Sequence, residues 1–454
     1  MTTLGEYIKV QGGYAYKSKD FIESSDNKVI KIKNVRFGTI DYSEPAYVSN
    51  EIAEATKNWK VKEGDVLISM TGSGPNAPQS LVGRVARVWK NEPDAWINQR
   101  VGRVCLLDEA PVYLDFIFYW LSLPQSQDYL VSNSSGSANQ ANISGKIIES
   151  LPCPKVDYQI SKQIADLARK FDEKIILNSQ TNQTLEEMAQ AIFKSWFVDF
   201  DPVKAKMNGE LPEGMDAATA SLFPEKLVDT EVGELPEGWK LVPVGELLDK
   251  TIGGDWGKEE PDDKHTEVVR IVRGTDIPKL HGGAIASVPV RYVESKKLKT
   301  RKLERGDIVI EVSGGSKDQP TGRSLFISDN ILKRLELPSE PASFCRRFKP
   351  KNYETGLLLT VHFQLMYQAG KTWEYQNQST GISNFQTKYF LEAEHIVIPS
   401  DDVLDAFVKQ VSPMMDMIHS NQNIELANLR DTLLPKLLSG EINLDTTEEL
   451  VEVN

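Results

Sequence analysis

Residues 157–197, DYQISKQIADLARKFDEKIILNSQTNQTLEEMAQAIFKSWF, decide how this chain is organised. Their apolar residues recur at steps of three and four from Ile160 to Phe197, with one polar patch between them, which predicts an amphipathic α-helix. No proline or glycine interrupts the stretch. We therefore expect one helix of roughly 60 Å at 1.5 Å per residue, with an apolar stripe that must be buried against another surface.

A second helical stretch, residues 401–442, supplies that surface. Its leucine stripe repeats the pattern of the first helix about 241 positions later, which indicates an internal repeat. The simplest arrangement packs the two helices antiparallel, as a coiled-coil spacer. The alternative is two ordinary core helices of two unrelated domains.

Each helix follows a larger segment, and the second segment repeats the first. The strand and loop GDVLISMTGSG, which begin at Gly64, correspond to GDIVIEVSGGS from Gly306. A helix predicted over residues 113–129 corresponds to one over 356–367, and a polar loop at 132–143 corresponds to one at 376–385. The offset stays near 242, so we infer a duplication in which one scaffold carries two different recognition surfaces.

This organisation predicts an α+β fold in which two repeated globular domains are separated by two long antiparallel spacer helices, with pseudo-two-fold symmetry. The predicted parts are residues 1–155, first domain; 156–200, first helix region; 201–239, an extended linker rich in glycine and proline; 240–399, second domain; 400–442, second helix region; and 443–454, an acidic tail.

Charge is unevenly distributed along the 454 residues. The net charge of −13 comes from residues 156–239 and 400–454, at −8 each, whereas residues 1–155 are neutral and residues 240–399 carry +3. A polyanion would therefore contact the two large segments. The three cysteines are far apart, and neither a signal peptide nor a membrane-length apolar run is present, so we expect a reduced, cytoplasmic protein.

The motifs of several enzyme classes are missing from the sequence. There is no Walker A motif, no [DN]PP[YF] motif of amino-methyltransferases, and no His/Cys cluster that could bind zinc. One nuclease-like pattern, Asp262 followed by Glu294 and Lys296, has no counterpart in the first segment. We therefore expect no catalytic residue and no metal site.

The order of these features resembles the DNA-specificity subunit of type I restriction–modification systems over nearly the whole chain. The resemblance rests on GDVLISMTGSG and GDIVIEVSGGS, on LPEGWKLVPVGEL at the start of the second segment, and on LANLRDTLLPKLLSGEI at the end. One departure is that the first segment begins at Met1 without an LPEGW phrase.

The resemblance implies a subunit without catalysis or cofactor of its own. It would read one half of a split target in double-stranded DNA with each domain, while the helices set the gap and bind two modification subunits. Those subunits would methylate adenine with S-adenosylmethionine, and added restriction (motor) subunits would use ATP and Mg²⁺ to translocate and cut DNA. A two-domain scaffold that recognises protein or RNA is the alternative.

Residues for DNA contact follow from base chemistry, because Arg and Lys suit guanine or phosphate, and Asn and Gln suit adenine. In the first domain we expect contacts from the loop 71–76 with Thr71, Ser73 and Asn76, and from Arg84, Gln99, Arg100, Asn139, Gln140 and Asn142. In the second we expect Ser316, Lys317, Gln319, Arg323, Arg346, Arg347, Gln376, Asn377 and Asn384, with Lys296, Lys297, Lys299 and Arg301 on phosphates. Contacts between subunits are expected at Leu185, Met188, Ile192, Trp196, Leu426, Leu429, Leu433 and Leu437.

Overall fold

The structure is a computed structural model, and it describes residues 2–74, 82–137, 140–231, 233–283, 288–315, 319–379 and 382–442. The chain divides into two compact units. The first unit comprises Met1–Lys174 and Leu426–Asn454, and the second unit comprises Ile175–Glu425. The predicted acidic tail, residues 443–454, lies outside the described residues.

The first long helix is confirmed as one element, Tyr158–Phe197, of 40 residues. The second differs from the expectation, because it consists of two helices, Asp401–Ile418 and Gln422–Ser439. At the break His419 is fully buried and hydrogen-bonds with Ser328 Oγ (2.9 Å) and with the His281 ring (3.1 Å). Those side-chain contacts, followed by Ser-Asn residues that favour caps over helix interiors, explain why the helix stops there.

Within the second unit the helices pair antiparallel. Phe407 is fully buried, and its ring contacts those of Phe193, Trp196 and Phe197. Farther from that cluster, Asn178 Nδ2 donates to Asn423 Oδ1 at 2.9 Å. Lower numbers on the first helix thus meet higher numbers on the second, as the antiparallel expectation requires.

Within the first unit, the start of the long helix is held by a buried carboxylate. Asp172 is 8% exposed, forms an ion pair with Arg430 of the last helix, and accepts a hydrogen bond from Tyr119 Oη at 2.7 Å. This ion pair thus joins the first long helix to the last helix within the first unit.

The described residues of the first unit form four small sheets whose strands are mostly antiparallel. In spatial order they are Thr2–Thr3 and Pro152–Cys153; Ile8–Gly12, Val101–Leu106, Val66–Ser69 and Val85–Arg87; Ser135–Ser137, Gln140–Asn142 and Thr71–Gly72; and Phe21–Ile22, Ala46–Val48, Lys28–Ile30 and Ala95–Ile97, with the last pair parallel. Its α-helices besides the long ones are Asn50–Ala55, Leu114–Ser122, Pro124–Ser132 and Gly145–Glu149.

The second unit repeats this topology. Its sheets are Lys240–Pro243 and His395–Ile398; Leu248–Gly253, Cys345–Pro350, Ile308–Glu311 and Ser324–Phe326; Ser313–Gly314, Ile382–Phe385 and Gln376–Ser379; Val290–Glu294, His265–Val272 and Ser339–Pro341, the last pair parallel; and an added hairpin, Leu227–Thr230 with Gly233–Pro236. Its other α-helices are Asp201–Met207, Ala217–Ser221, Ile277–His281, Ser295–Arg301, Asp329–Leu335, Tyr353–Gln368 and Thr387–Ala393.

Glycine pairs occupy equivalent crowded positions in the two units. A Cβ on Gly13 would lie 2.1 Å from the carbonyl oxygen of Asn98, and a Cβ on Gly254 would lie 2.0 Å from that of Ala342. No side chain fits at either distance, which explains why the duplicated sequence retains glycine at both places.

Three local expectations need correction. Pro124 does not lie inside one helix over 113–129 but starts a second helix, since proline suits the first helical turn. Within the predicted polar loops, the strands Ser135–Ser137 and Gln140–Asn142 pair antiparallel, as do the strands Gln376–Ser379 and Ile382–Phe385. The supposed linker, 201–239, contributes Phe223 and Trp239 to the buried core of the second unit, so it is not an extended crossing.

Candidate nucleic-acid interface

Three segments predicted to contact DNA meet at one backbone position in the first unit. The Met70 N–H donates to the Arg100 carbonyl (2.9 Å), and the Met70 carbonyl accepts from the Ile143 N–H (3.0 Å). A turn closed by Val101 N–H to Asn98 O (2.8 Å) presents Gln99 and Arg100 beside this point. We call the segments 71–74, 98–101, 135–137 and 140–143 the first polar edge.

The second unit builds the same junction from equivalent residues. The Val312 N–H donates to the Phe344 carbonyl, and the Val312 carbonyl accepts from the Phe385 N–H, both at 2.9 Å. The corresponding turn is closed by Cys345 N–H to Ala342 O at 2.8 Å. We call the segments 313–315, 342–346, 376–379 and 382–385 the second polar edge.

One side-chain hydrogen bond is also duplicated. In the first unit Thr71 Oγ1 donates to Asn142 Oδ1 at 2.8 Å, and in the second Ser313 Oγ donates to Asn384 Oδ1 at the same distance. Each hydroxyl thereby fixes the orientation of a hairpin asparagine and leaves its amide group to other partners. In the first unit that amide, Asn142 Nδ2, donates to Gln140 O at 3.3 Å.

Several predicted contacts are exposed on these edges. Gln99, Arg100 and Gln140 are exposed in the first unit, as are Gln319, Asn377 and Asn384 in the second. Ser73, Arg346 and Gln376 are half-buried, and Gln376 Oε1 accepts from both the backbone and the hydroxyl of Thr321. Asn76, Asn139, Ser316 and Lys317 lie outside the described residues.

Three predicted arginines belong instead to the interior of their units. Arg84 donates to the carbonyls of Ile32 and Val35, both at 2.8 Å, and burial lowers the pKa of its guanidinium. Arg323 forms two hydrogen bonds, 2.7 and 2.8 Å, with the buried carboxylate of Glu311. Arg347 pairs with Asp307 and donates to the Thr300 carbonyl. None of the three presents a free guanidinium, because nearby carboxylates and carbonyls accept its hydrogen bonds.

Arg347 is part of a repeated buried ion pair. Its Nε lies 2.7 Å from Asp307 Oδ2, and the equivalent Arg103 Nε lies 3.2 Å from Asp65 Oδ2. Both aspartates follow the glycine that opens the duplicated strand. The pair therefore belongs to the scaffold of the two units.

The predicted phosphate contacts on the helix Ser295–Arg301 divide into two groups. Lys297 and Arg301 are committed to Asp255, at 3.3 and 2.8 Å, and Arg301 Nε also donates to the Gly253 carbonyl at 3.0 Å. Lys296 and Lys299 are exposed. Because Gly253 pairs in register with Arg346, this helix ends next to the second polar edge.

A buried carboxylate anchors the hairpin of the second polar edge. Glu394, 1% exposed, accepts hydrogen bonds from His362 (2.9 Å), Lys371 (2.9 Å) and Tyr375 Oη (2.6 Å). Burial acts to raise the pKa of Glu394, but these three donors lower it to about 2. Tyr375 immediately precedes the hairpin, so the cluster fixes its base.

A cavity of about 750 Å³ opens between the hairpin and the turn of the second polar edge. Its lining combines hydrogen-bonding and aromatic side chains, among them Ser313, Phe344, Arg346, Asn384, Lys388 and Tyr389. Sequence reasoning missed Phe344, Lys388 and Tyr389. The signal that would have found Phe344 is its place in the duplication, since it occupies the position of Arg100.

The acidic and metal-ligating side chains can be located among the described residues. They contain no group of three or more His, Cys, Asp or Glu side chains placed to hold a metal ion. The carboxylates of the nuclease-like pattern are engaged, since Asp262 pairs with Lys258 (2.6 Å) and His265 (2.7 Å), and Glu294 pairs with Lys297 (2.9 Å). In the same part of the chain, no helix is long and apolar enough to cross a membrane.

The predicted subunit contacts on the long helices differ in exposure. Met188 and Leu429 are 45% and 48% exposed. Trp196 and Leu437 are buried within the chain, and the ring of Trp196 contacts Phe223 and Phe407. Leu185, Ile192, Leu426 and Leu433 are half-buried.

Removing one hydroxyl from either polar edge is expected to have a small, local effect. Ser313→Ala and Thr71→Val should each lower the free energy of unfolding by about 1 kcal/mol, because one hydrogen bond to a hairpin asparagine is lost. Urea denaturation measures this. Ser343→Ala, at an exposed turn position, is the control, and a loss for it as large as for Ser313→Ala would contradict the role of this hydrogen bond.

Comparison with known proteins shows what this chain is similar to. Residues 1–187 match the family model described as type I restriction modification DNA specificity domain. The HindI specificity subunit of Haemophilus influenzae is 25% identical over 84% of this chain and 87% of that protein, and the MjaIX specificity subunit of Methanocaldococcus jannaschii is 24% identical over 91% and 89%. This chain is therefore similar to type I specificity subunits over most of its length.

The fold is also similar to that of a solved structure. The crystal structure of a type I restriction–modification S subunit from M. genitalium superposes with a TM-score of 0.51, covering 96% of this chain and 94% of that chain. The sequence identity is 15%, so the similarity supports the fold alone. It is consistent with the duplicated α+β topology described above.

Proposed function

We propose that this chain is a specificity subunit that recognises DNA sequence within a type I restriction–modification complex. Each polar edge contacts one half of a split target in double-stranded DNA, and the long helices set the spacer between the half-sites. Residues 1–155 and 240–399 are the proposed recognition domains, joined by the helix regions 156–200 and 400–442.

The observation that carries this proposal is the duplicated polar edge with exchanged side chains. The backbone junctions at Met70 and Val312 are the same, yet the adjoining turns carry Gln99-Arg100 in one unit and Ser343-Phe344 in the other. A scaffold that is constant in backbone and variable in exposed side chains suits two readers of different base sequences. The exposed Arg, Asn and Gln side chains are those that contact base edges in the major groove.

The partners follow from the same proposal. Two modification subunits bind the long helices through exposed apolar residues, of which Met188 and Leu429 are the best candidates. Those subunits carry S-adenosylmethionine and methylate adenine, and restriction subunits bring ATP and Mg²⁺ for cleavage. The specificity subunit contributes no catalytic residue and no cofactor.

Methylation sequencing tests this function directly. The chain is co-expressed with the adenine-methylating subunit from the same genome, and the genomic DNA is sequenced for methyladenine. We expect a split motif with a methylated adenine in each half, and we expect binding of the purified complex to weaken steeply with salt. A continuous motif would contradict the two-reader geometry, and a stable complex without any methylation would favour a scaffold for protein or RNA.

A further inference from the structure

Phe344 is a large apolar side chain in an exposed turn of the second polar edge. It is 63% exposed, the largest exposed fraction among the large apolar side chains of the described residues. Its carbonyl accepts from the N–H groups of Val312 (2.9 Å) and Ser313 (3.2 Å), so the backbone at this position is fixed although the ring is in solvent. An exposed ring on a fixed backbone is available to a ligand.

The duplication places Phe344 where the first unit has a cation. Both turns precede an inner strand of a four-stranded sheet. In both, the carbonyl of the residue before that strand accepts a hydrogen bond from the junction: Arg100 from Met70, and Phe344 from Val312. Two residues later the cation is in the second unit instead. Gly102 pairs with Ile68 in the first unit, and at the equivalent position Arg346 pairs with Ile310. The first edge thus presents a cation at the turn, and the second presents an aromatic ring there with the cation on the strand.

The surroundings of Phe344 select its contact. The ring forms one wall of the 750 Å³ cavity together with Arg346, Asn384 and Ser313, all of which can donate hydrogen bonds. A ring exposed among such donors can contact the same base edge to which they hydrogen-bond. In the major groove the one apolar group on a base edge is the methyl group of thymine.

We propose that Phe344 is a specificity-determining residue of the second half-site, where its ring contacts a thymine methyl group. The inference rests on the proposed function and deepens it. The equivalent position of the first half-site is read by Arg100 and takes guanine. The two half-sites therefore differ at equivalent positions because the two turns differ.

Motif analysis of matched variants is the first part of the test. Phe344→Arg and Phe344→Ala are co-expressed with the modification subunit and their methylation motifs are compared with that of the unaltered chain. We expect a change at one thymine-containing position of one half-site, while the other half-site stays the same. Phe37→Ala removes another exposed ring, 56% exposed, from the first unit and should leave the second half-site unchanged.

Base substitution is the second part, and it isolates the methyl group. In the purified complex, replacing that thymine by deoxyuracil should weaken binding about fourfold, since one methyl group leaves the contact. Phe344→Ala should weaken binding to the thymine site about tenfold and should not discriminate between thymine and deoxyuracil.

Three different results would each contradict a different part of this proposal. If Phe344→Arg and Phe344→Ala leave the methylation motif unchanged, Phe344 takes no part in sequence recognition. The unaltered chain could bind thymine and deoxyuracil sites equally well, with Phe344→Ala weakening both to the same extent. That result would show that Phe344 contributes a non-specific contact and does not read the methyl group. Absence of a split motif in the unaltered chain would overturn the proposed function itself. Because the side chain is exposed, melting temperatures of the variants should match that of the unaltered chain, which separates recognition from folding.

Discussion

Replacing Arg347 with alanine is expected to lower the free energy of unfolding of the second unit by about 3–5 kcal/mol. Arg347 is 3% exposed, and its guanidinium also donates to Glu304 (2.7 Å) and to the Thr300 carbonyl (3.0 Å). Without it, the carboxylate of Asp307, 2% exposed, loses its cation. Burial already raises the pKa of Asp307, so an unpaired charge there is costly.

The neighbouring residue supplies the matched control. Arg346 is half-buried, lies on the opposite face of the strand and lines the cavity of the second polar edge. Arg346→Ala should change the free energy of unfolding by less than about 0.5 kcal/mol. It should instead weaken DNA binding, and it should reduce by about one the slope of the logarithm of the binding constant against the logarithm of the salt concentration. Urea denaturation and binding titrations at several salt concentrations measure both. Equal losses of stability for the two variants would contradict the division between scaffold and edge.

Glu340→Gln is expected to stabilise the second unit by about 2–3 kcal/mol at pH 8 and by little at pH 4. Glu340 is fully buried, and neither carboxylate oxygen has a hydrogen-bond partner among the described residues. Burial raises the pKa of Glu340 to about 7 from 4.5. Between those values the folded state binds more protons than the unfolded state, so stability falls as the pH rises. Glutamine removes the charge and with it this loss.

Glu394 gives the opposite pH dependence and serves as the comparison. Its pKa in the folded state is about 2, so its ionised form stabilises the fold above pH 4.5, and this stabilisation is lost as the pH falls toward 2. Glu394→Gln should therefore be destabilising at pH 7 and nearly neutral near pH 2. Thermal unfolding across this pH range tests both variants, and parallel pH profiles would show that burial and hydrogen bonding do not govern these carboxylates as described.

The repeat and the long helices were predictable because apolar periodicity and internal similarity are properties of sequence alone. The 3.6-residue period of residues 157–197 required a helix whatever it packed against, and Tyr158–Phe197 confirms it. The hairpins of the polar edges were not predictable. Their strands are rich in Ser, Asn and Gln and lack apolar alternation, and they are held by backbone pairing to the strand after Met70 or Val312.

The individual contacts of the site were less predictable, for two physical reasons. Arg84 and Arg347 have the side chain of a DNA-contacting residue, but their partners are carbonyls and a carboxylate distant in sequence, which only the fold brings near. Phe344 has the side chain of a core residue, and only its position in the turn exposes it. Residue type therefore overpredicted arginines and underpredicted an aromatic ring.

The polar contacts between the long helices of the second unit also have a consequence for alignment. Asn178 Nδ2 donates a hydrogen bond to Asn423 Oδ1, and Asn423 Nδ2 donates one to Ser179 Oγ at 3.2 Å. Asn182 Nδ2 donates to the Ile418 carbonyl. Sliding one helix past the other by a turn would break these hydrogen bonds, and unpaired amides between the helices would be costly. The amides therefore favour a single register of the two helices and lower their stability somewhat, as a lone buried asparagine does in coiled coils.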